Sequence, residues 1–415
     1  SQVSTFLGHF ENLDKNIGFK LIEEGKDLSL IINDKGVFND LTEQEIIGHS
    51  LKSGRIKDAV NVSFSLGSKE SVSLEKDVAR QYIELGGNIR NLVSNKEVFN
   101  DLGEGEIIEH SLKNGRVGDI AENLDVFSEL DNTLARELLI GGQGDALVKS
   151  VSRFRGLDDG VAQYFLSNGL TEEFSFALGS FEGLDKGTGL KLIETGGDIA
   201  SIVLHKEVFN DFTIEEIIDH SLKSGRVKDI VESVITLSPE EFVGFGKDVA
   251  IQYIEETDGK NISFLLNHIE AFNGLKVEEI VDYSLNSGRV KQLVYAIATL
   301  SSKELLGLNK DIAIQFIETG GNMFLLLHSK EAFNDLPIEE IVECASKSGR
   351  VKEIVESIIK ESPEEFVTFN KDVAKQFIEA GGDIPLLLHN MEIFDDLAME
   401  DIVDYSLESR RVKDL

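Results

Sequence analysis

Residues 212–244, FTIEEIIDHSLKSGRVKDIVESVITLSPEEFVG, carry two helical runs parted by one glycine. Ile217, Ile218 and Leu222, then Val227, Ile230, Val231 and Ile235, recur at the three-to-four-residue spacing of a helix face. Gly225, between the runs, reads as a left-handed helix cap, so the stretch is a helical hairpin. Ser238, ahead of Pro239 and Glu240–Glu241, gives a start signal for a further helical turn.

Related units begin, each with Leu or Phe, at Leu13, Leu41, Leu74, Leu102, Leu130, Leu157, Leu184, Phe212, Phe245, Leu275, Leu308, Leu336, Phe369 and Leu397. Their spacings of 27 to 33 residues suit two short helices and their turns. A second, shorter kind alternates with the first. It reads LNKDIAIQFIETGGNMFLLLHSKEAFND from Leu308 to Asp335, with Gly320–Gly321 as its hinge and Asn322 capping its second helix. Above the alternation lies a duplication: Leu13–Asp58 matches Leu184–Asp229 at 29 of 46 positions, with an offset of 171.

One hairpin cannot bury both of its apolar faces, so neighbours must cover them, and a stack with one continuous core results. The expectation is therefore an all-α fold: an α-solenoid of about 14 stacked two-helix hairpins, long and short types alternating, forming a superhelix. It reads as a single continuous array over residues 1–415, with the most diverged repeats at 121–170 and both ends cut mid-repeat. Phe38, Phe99, Phe209, Phe272, Phe333 and Phe394 recur at one place and are expected to pack between units.

Composition narrows the function. A chain that is 41% hydrophobic and 28% charged is globular, and no apolar run approaches the roughly 18 residues of a membrane span. The single cysteine, Cys344, excludes a disulfide framework. The net charge of -34 opposes binding to nucleic acid and to anionic membranes. No phosphate loop, nucleophile elbow, zinc-protease helix or dinucleotide fingerprint is present, so no catalytic residue and no cofactor is expected.

Histidines fall in two recurring places. His49, His110 and His220 share one that Tyr283, Cys344 and Tyr405 take in later units, which suits a half-buried packing slot better than a metal ligand. His205, His268, His328 and His389 are read as a second shared slot, too widely spaced along the stack to hold one metal ion. The pairs Glu215–Glu216, Glu278–Glu279 and Glu339–Glu340 fall in first helical turns, where the helix dipole favours acids.

The most suggestive pattern is basic. Lys52, Arg55 and Lys57 surround one interhelical glycine, and Lys223, Arg226 and Lys228 another. Arg289 with Lys291, and Lys347 with Arg350 and Lys352, repeat the loop, while Arg116 and Arg411 continue it. Cations and backbone N–H groups at a helix N-terminus bind anions, so a line of phosphate or partner contacts is one expectation. The other is that these cations pair with acids of adjacent units.

At these loops the long unit resembles the TAL effector repeat, a helical hairpin that starts with Leu and meets DNA phosphate through a basic residue. Phe212, Ile217, Gly225, Lys228, Ile230 and Pro239 fall near the corresponding places. The resemblance implies a DNA-tracking array whose base-reading pair maps onto Lys223 and Ser224. Here Leu222 stands where that family has Ser, and the pair hardly varies: Lys52–Ser53, Lys113–Asn114, Asn286–Ser287, Lys347–Ser348. A base-reading code needs variety there. The expected function is thus a non-catalytic scaffold that binds a protein partner or self-assembles along its curved surface. The alternative is a nucleic-acid-binding array that uses the Gly-Arg ladder on phosphates.

Overall fold

All fourteen unit starts lie two residues ahead of a helix, from Leu13 before Lys15–Glu23 to Leu397 before Met399–Glu408. The computed structural model describes residues 4–66, 73–299, 308–333, 336–361 and 369–414; Asn334 and Asp335, which end the short unit quoted above, lie outside them. The chain divides into two compact units, Ser1–His220 and Ser221–Leu415. In each, helices pack in series as an all-α repeat solenoid.

A short hairpin has a fixed anatomy. In the copy from Leu308, a helix Lys310–Glu318 turns at Gly320–Gly321 into a helix Met323–His328, followed by a 3-10 turn Lys330–Ala332. The chain then returns to its own start, where Phe333 forms a parallel one-residue bridge with Leu308. The same closure joins Leu13 to Phe38, Leu74 to Phe99, Leu130 to Phe154, Leu157 to Phe181, Leu184 to Phe209, Phe245 to Phe272 and Phe369 to Phe394. The recurring Phe residues are buried as expected, and their backbone also ties each hairpin shut.

The paired glycines have separate reasons. Gly86, Gly320 and Gly381 adopt φ of 75°, 80° and 80°, which only glycine takes without strain. The second glycine makes room for an aromatic ring on its own first helix. A Cβ on Gly87 would lie 2.2 Å from the Tyr82 ring, and on Gly321 or Gly382 it would lie 2.4 Å from Phe316 or Phe377. Caps follow the sequence: the Asn322 side chain accepts from the Leu325 N–H at 3.3 Å.

Two readings change, and one hairpin departs from its type. Ser238 does not open a helix; it closes Val227–Leu237 in the left-handed region at φ 45°. Pro239, lacking an N–H, starts a turn closed by Phe242 N–H on the Pro239 carbonyl at 2.9 Å, which sets the Phe242 ring 4.7 Å from Phe245. The alternation also breaks. The hairpins from Leu130, Leu157 and Leu184 are all of the short type, so the diverged 121–170 region holds ordinary short hairpins with no long one between them. Finally, the long hairpin from Leu102 has a second helix of only five residues, Val117–Ala121, followed by a 3-10 turn.

One ion pair recurs between hairpins. The Lys that opens a short hairpin's first helix meets the Glu at the third position of the next long hairpin's first helix. The distances are 3.0 Å for Lys15–Glu45, 3.1 Å for Lys76–Glu106, and 2.9 Å for Lys186–Glu216, Lys247–Glu279 and Lys310–Glu340. The same carboxylate often caps its own helix, as Glu45 does on the Thr42 N–H at 3.1 Å and Glu279 on that of Lys276 at 3.0 Å.

Two outcomes are expected. Gly321→Ala drives a methyl into the Phe316 ring and should lower stability by about 1–3 kcal/mol, with Phe316→Leu in the same chain recovering part of the loss; urea denaturation midpoints read both. Hydrogen bonds from Lys247 and then from the Lys276 N–H, with burial opposing, hold the Glu279 carboxyl below its ordinary value, and Lys186 and then Thr213 do the same for Glu216. A depressed carboxyl contributes stability in full above its unfolded pKa and loses it as pH falls through its folded pKa. Midpoints should therefore drop as pH falls below the ordinary glutamate range, and Glu279→Gln should flatten that part of the curve.

Candidate functional site: the basic ladder

The Gly-Arg loop leaves a long hairpin's first helix through a left-handed glycine, Gly54 at φ 80° or Gly349 at 71°, and enters the second helix directly after the arginine. That geometry sends the arginine toward the preceding short hairpin, onto carbonyls at the end of its first helix and in the turn after it; the helix-end carbonyl, such as that of Ile22, already accepts from the Gly25 N–H at 3.0 Å and takes the arginine on its second lone pair. Arg55 Nη1 donates to the carbonyls of Ile22 at 3.0 Å and Lys26 at 2.6 Å, while its Nε and Nη2 grip Asp58 at 2.9 and 2.7 Å. Arg350 reaches the Ile317 and Gly321 carbonyls at 2.8 and 2.6 Å and holds Glu353. Arg411 takes those of Ile378 and Gly382 at 3.0 and 2.6 Å, with Asp414 at 2.8 Å. Arg116 donates to the Ile83 carbonyl at 2.9 Å and to Asp119 at 2.6 Å. Arg226 holds Asp229 at 3.0 and 2.8 Å.

Arg289 differs. Its Nη2 lies 3.5 Å from Asp258, and its buried Nε has no acceptor. The preceding helix, Lys247–Glu256, is one residue longer than Lys310–Glu318, and its turn carries an extra residue, Lys260. The carbonyls are thereby moved out of register with the guanidinium.

The lysines face outward. Lys52, Lys57, Lys223 and Lys228 are exposed; Lys291 and Lys352 are half-buried, with Lys352 Nζ 4.0 Å from Glu356. Lys347 pairs with Glu343 one turn earlier. At the helix start after Arg226, the Lys228 N–H is taken by Glu256 at 3.0 Å, so a carboxylate of this chain fills that anion position.

The first histidine place is a polar contact between hairpins. His49 Nε2 lies 3.0 Å from Glu23, His110 Nε2 3.1 Å from Glu84 and His220 Nε2 3.3 Å from Glu194. Tyr283 substitutes a hydroxyl that donates to Glu255 at 2.5 Å, and this bond, with burial, raises the tyrosine's pKa. Burial first and Glu340 second push the Cys344 thiol above its ordinary value, so it stays protonated. The second place divides into two registers. His205 and His268 follow the last helical residue, whereas His328 and His389 are that residue. They stand four and five residues ahead of the bridging Phe, a one-residue difference that turns the side chain to another face.

Two further structural arginines carry no repeat signal. Arg90 binds Asp125 through two bonds of 2.8 and 2.6 Å, and Arg153 reaches the Leu124 and Phe127 carbonyls at 2.6 and 2.7 Å. Together they hold the 3-10 turn after the shortened helix Val117–Ala121. Among the described residues, no group of three or more His, Cys, Asp or Glu side chains is placed to hold a metal ion, and no helix is long and apolar enough to cross a membrane. Comparison with protein-family models, curated proteins and solved structures returns no match.

The ladder's geometry makes a strong test of role. Arg350→Lys keeps the charge and loses the fork, and is expected to cost about 1.5–3 kcal/mol, the range for hydrogen bonds to a charged group. Lys347→Ala should leave the urea midpoint where it is.

Proposed function

We propose that the protein is a non-catalytic repeat scaffold that binds a protein partner along its surface. The observation that carries this reading is the direction of the arginines. Arg55, Arg116, Arg350 and Arg411 donate to carbonyls of this chain, which leaves the outward surface of a chain with net charge -34 rich in carboxylates. Such a surface repels a phosphate backbone and attracts cationic groups. The near-invariant pair at the loop, from Lys52–Ser53 to Lys347–Ser348, supports the same reading, since it offers no code for bases.

The discriminating experiment is a titration of labelled DNA and RNA duplexes, followed by fluorescence anisotropy at low and high salt. The expected result is no binding even at low salt. Binding that weakens steeply with salt, and more shallowly in a chain with Lys52, Lys57, Lys223 and Lys228 changed to Gln, would establish the phosphate-tracking alternative instead.

A further inference from the structure

The run of three short hairpins creates a surface that the rest of the first unit lacks. Phe176 closes the helix Thr171–Phe176 and is 84% exposed; Leu204 closes Ile199–Leu204 and is 59% exposed. Both occupy the same place, the last residue of a short hairpin's second helix. In the other short hairpins of this unit that place, five residues ahead of the bridging Phe, holds Asn33, Ser94 and Lys149. Large apolar side chains left in water forfeit the free energy of burial, so a polar residue is the ordinary choice there.

Adjacency makes the pair a patch. Elsewhere a long hairpin separates successive short ones. Here the helices Thr171–Phe176 and Ile199–Leu204 pack directly against each other. The Asp198 N–H donates to Ser175 Oγ at 3.0 Å, and the His205 ring lies 3.2 Å from where a Gly179 side chain would start. Phe176 and Leu204 thus stand on neighbouring rungs. Exposed acids flank them: Glu172 and Glu173 precede Phe176 by one turn and Glu207 follows Leu204, while Lys206 beside Glu207 is half-buried.

We infer that this patch docks a cationic, amphipathic helical segment of a partner, with bulky apolar side chains over Phe176 and Leu204 and lysine or arginine against Glu172, Glu173 and Glu207. The inference rests on the scaffold reading and names the partner's chemistry. An apolar centre inside a charged rim is the anatomy of a protein interface, and the rim's sign selects the partner's.

The test uses the full chain and a fluorescein-labelled synthetic helix of lysine and leucine, with a glutamate–leucine helix of the same apolar spacing as comparison. The parent chain should bind the lysine peptide, more weakly as salt rises, and bind the glutamate peptide far less. Phe176→Ser with Leu204→Ser should weaken binding by about tenfold or more, the effect of losing 1.4 kcal/mol or more of anchor contact. Ile140→Ser removes another side chain, 80% exposed at a different place, and should bind like the parent. Equal binding by parent and double variant, with both folded by circular dichroism, overturns the patch while the scaffold reading stands. A parent dimer in sedimentation that the double variant abolishes assigns the patch to a second copy and also overturns the inference. Duplex binding in the preceding experiment is what would remove the scaffold reading itself.

Discussion

The arginine that crosses from the long hairpins of Leu41, Leu102, Leu336 and Leu397 onto the short hairpin before each is the contact on which the packing of these pairs depends. Helices of nine and six residues, such as Lys310–Glu318 and Met323–His328, are too short to persist alone in water. The end of the first helix and the turn after it carry carbonyls with lone pairs to spare, Ile317 accepting from the Gly320 N–H at 3.0 Å and still open on its other side. Arg350 supplies donors to two of them, at Ile317 and Gly321, and Glu353 three residues on fixes the guanidinium in the required plane. Lysine, a point charge on a flexible stem, cannot serve two carbonyls and a carboxylate at once with that rigidity.

The arginine does not act alone on its neighbour. The same long hairpin that places Arg55 on the end of helix Lys15–Glu23 places Glu45 on the lysine that begins it. That first helix, Lys15–Glu23, is thus gripped at both termini by the hairpin that follows, and His49 on Glu23 adds a third tie near the Arg55 end. Each grip matches charge to the helix end it meets: a cation at the carbonyl end, and a carboxylate on a lysine at the amide end. Orientation between such neighbours is thereby fixed by polar contacts at the rim, and the apolar core supplies the bulk of the burial.

Much of this fold was legible. The Leu and Phe starts, the glycine hinges and the Asn322 cap each have a local cause that one hairpin's sequence contains. What could not be read has a non-local cause. KSGRVK looks identical whether its arginine points at solvent or at a neighbour, because the deciding carbonyls lie 29 and 33 residues earlier. The parallel bridges span one or two residues and leave no period-two pattern. A single residue separates the registers of His205 and His328, below the precision of visual alignment of repeats. Three short hairpins in succession were hidden because Asn168–Gly169 replaces the double glycine, and Gly141–Gly142 leads into Gln143 instead of the usual Asp or Asn cap.

Arg289 shows that the ladder is a matter of chain length as well as composition. Its loop, SGRVK, keeps every residue of the motif from serine to lysine, yet its guanidinium finds neither carbonyl, because the hairpin before it is longer at the helix and at the turn. An arginine evolved to meet an external phosphate would be indifferent to that insertion. One whose acceptors are internal must respond to it, and Arg289 does, retaining only Asp258 at 3.5 Å and leaving Nε buried without a partner. The basic ladder is therefore read most economically as the device that holds the repeats in register. On the scaffold reading proposed above, binding specificity would reside in the side chains that the repeat leaves free to vary, and among these the exposed apolar pair on adjacent short hairpins is a departure from the pattern that packing does not require.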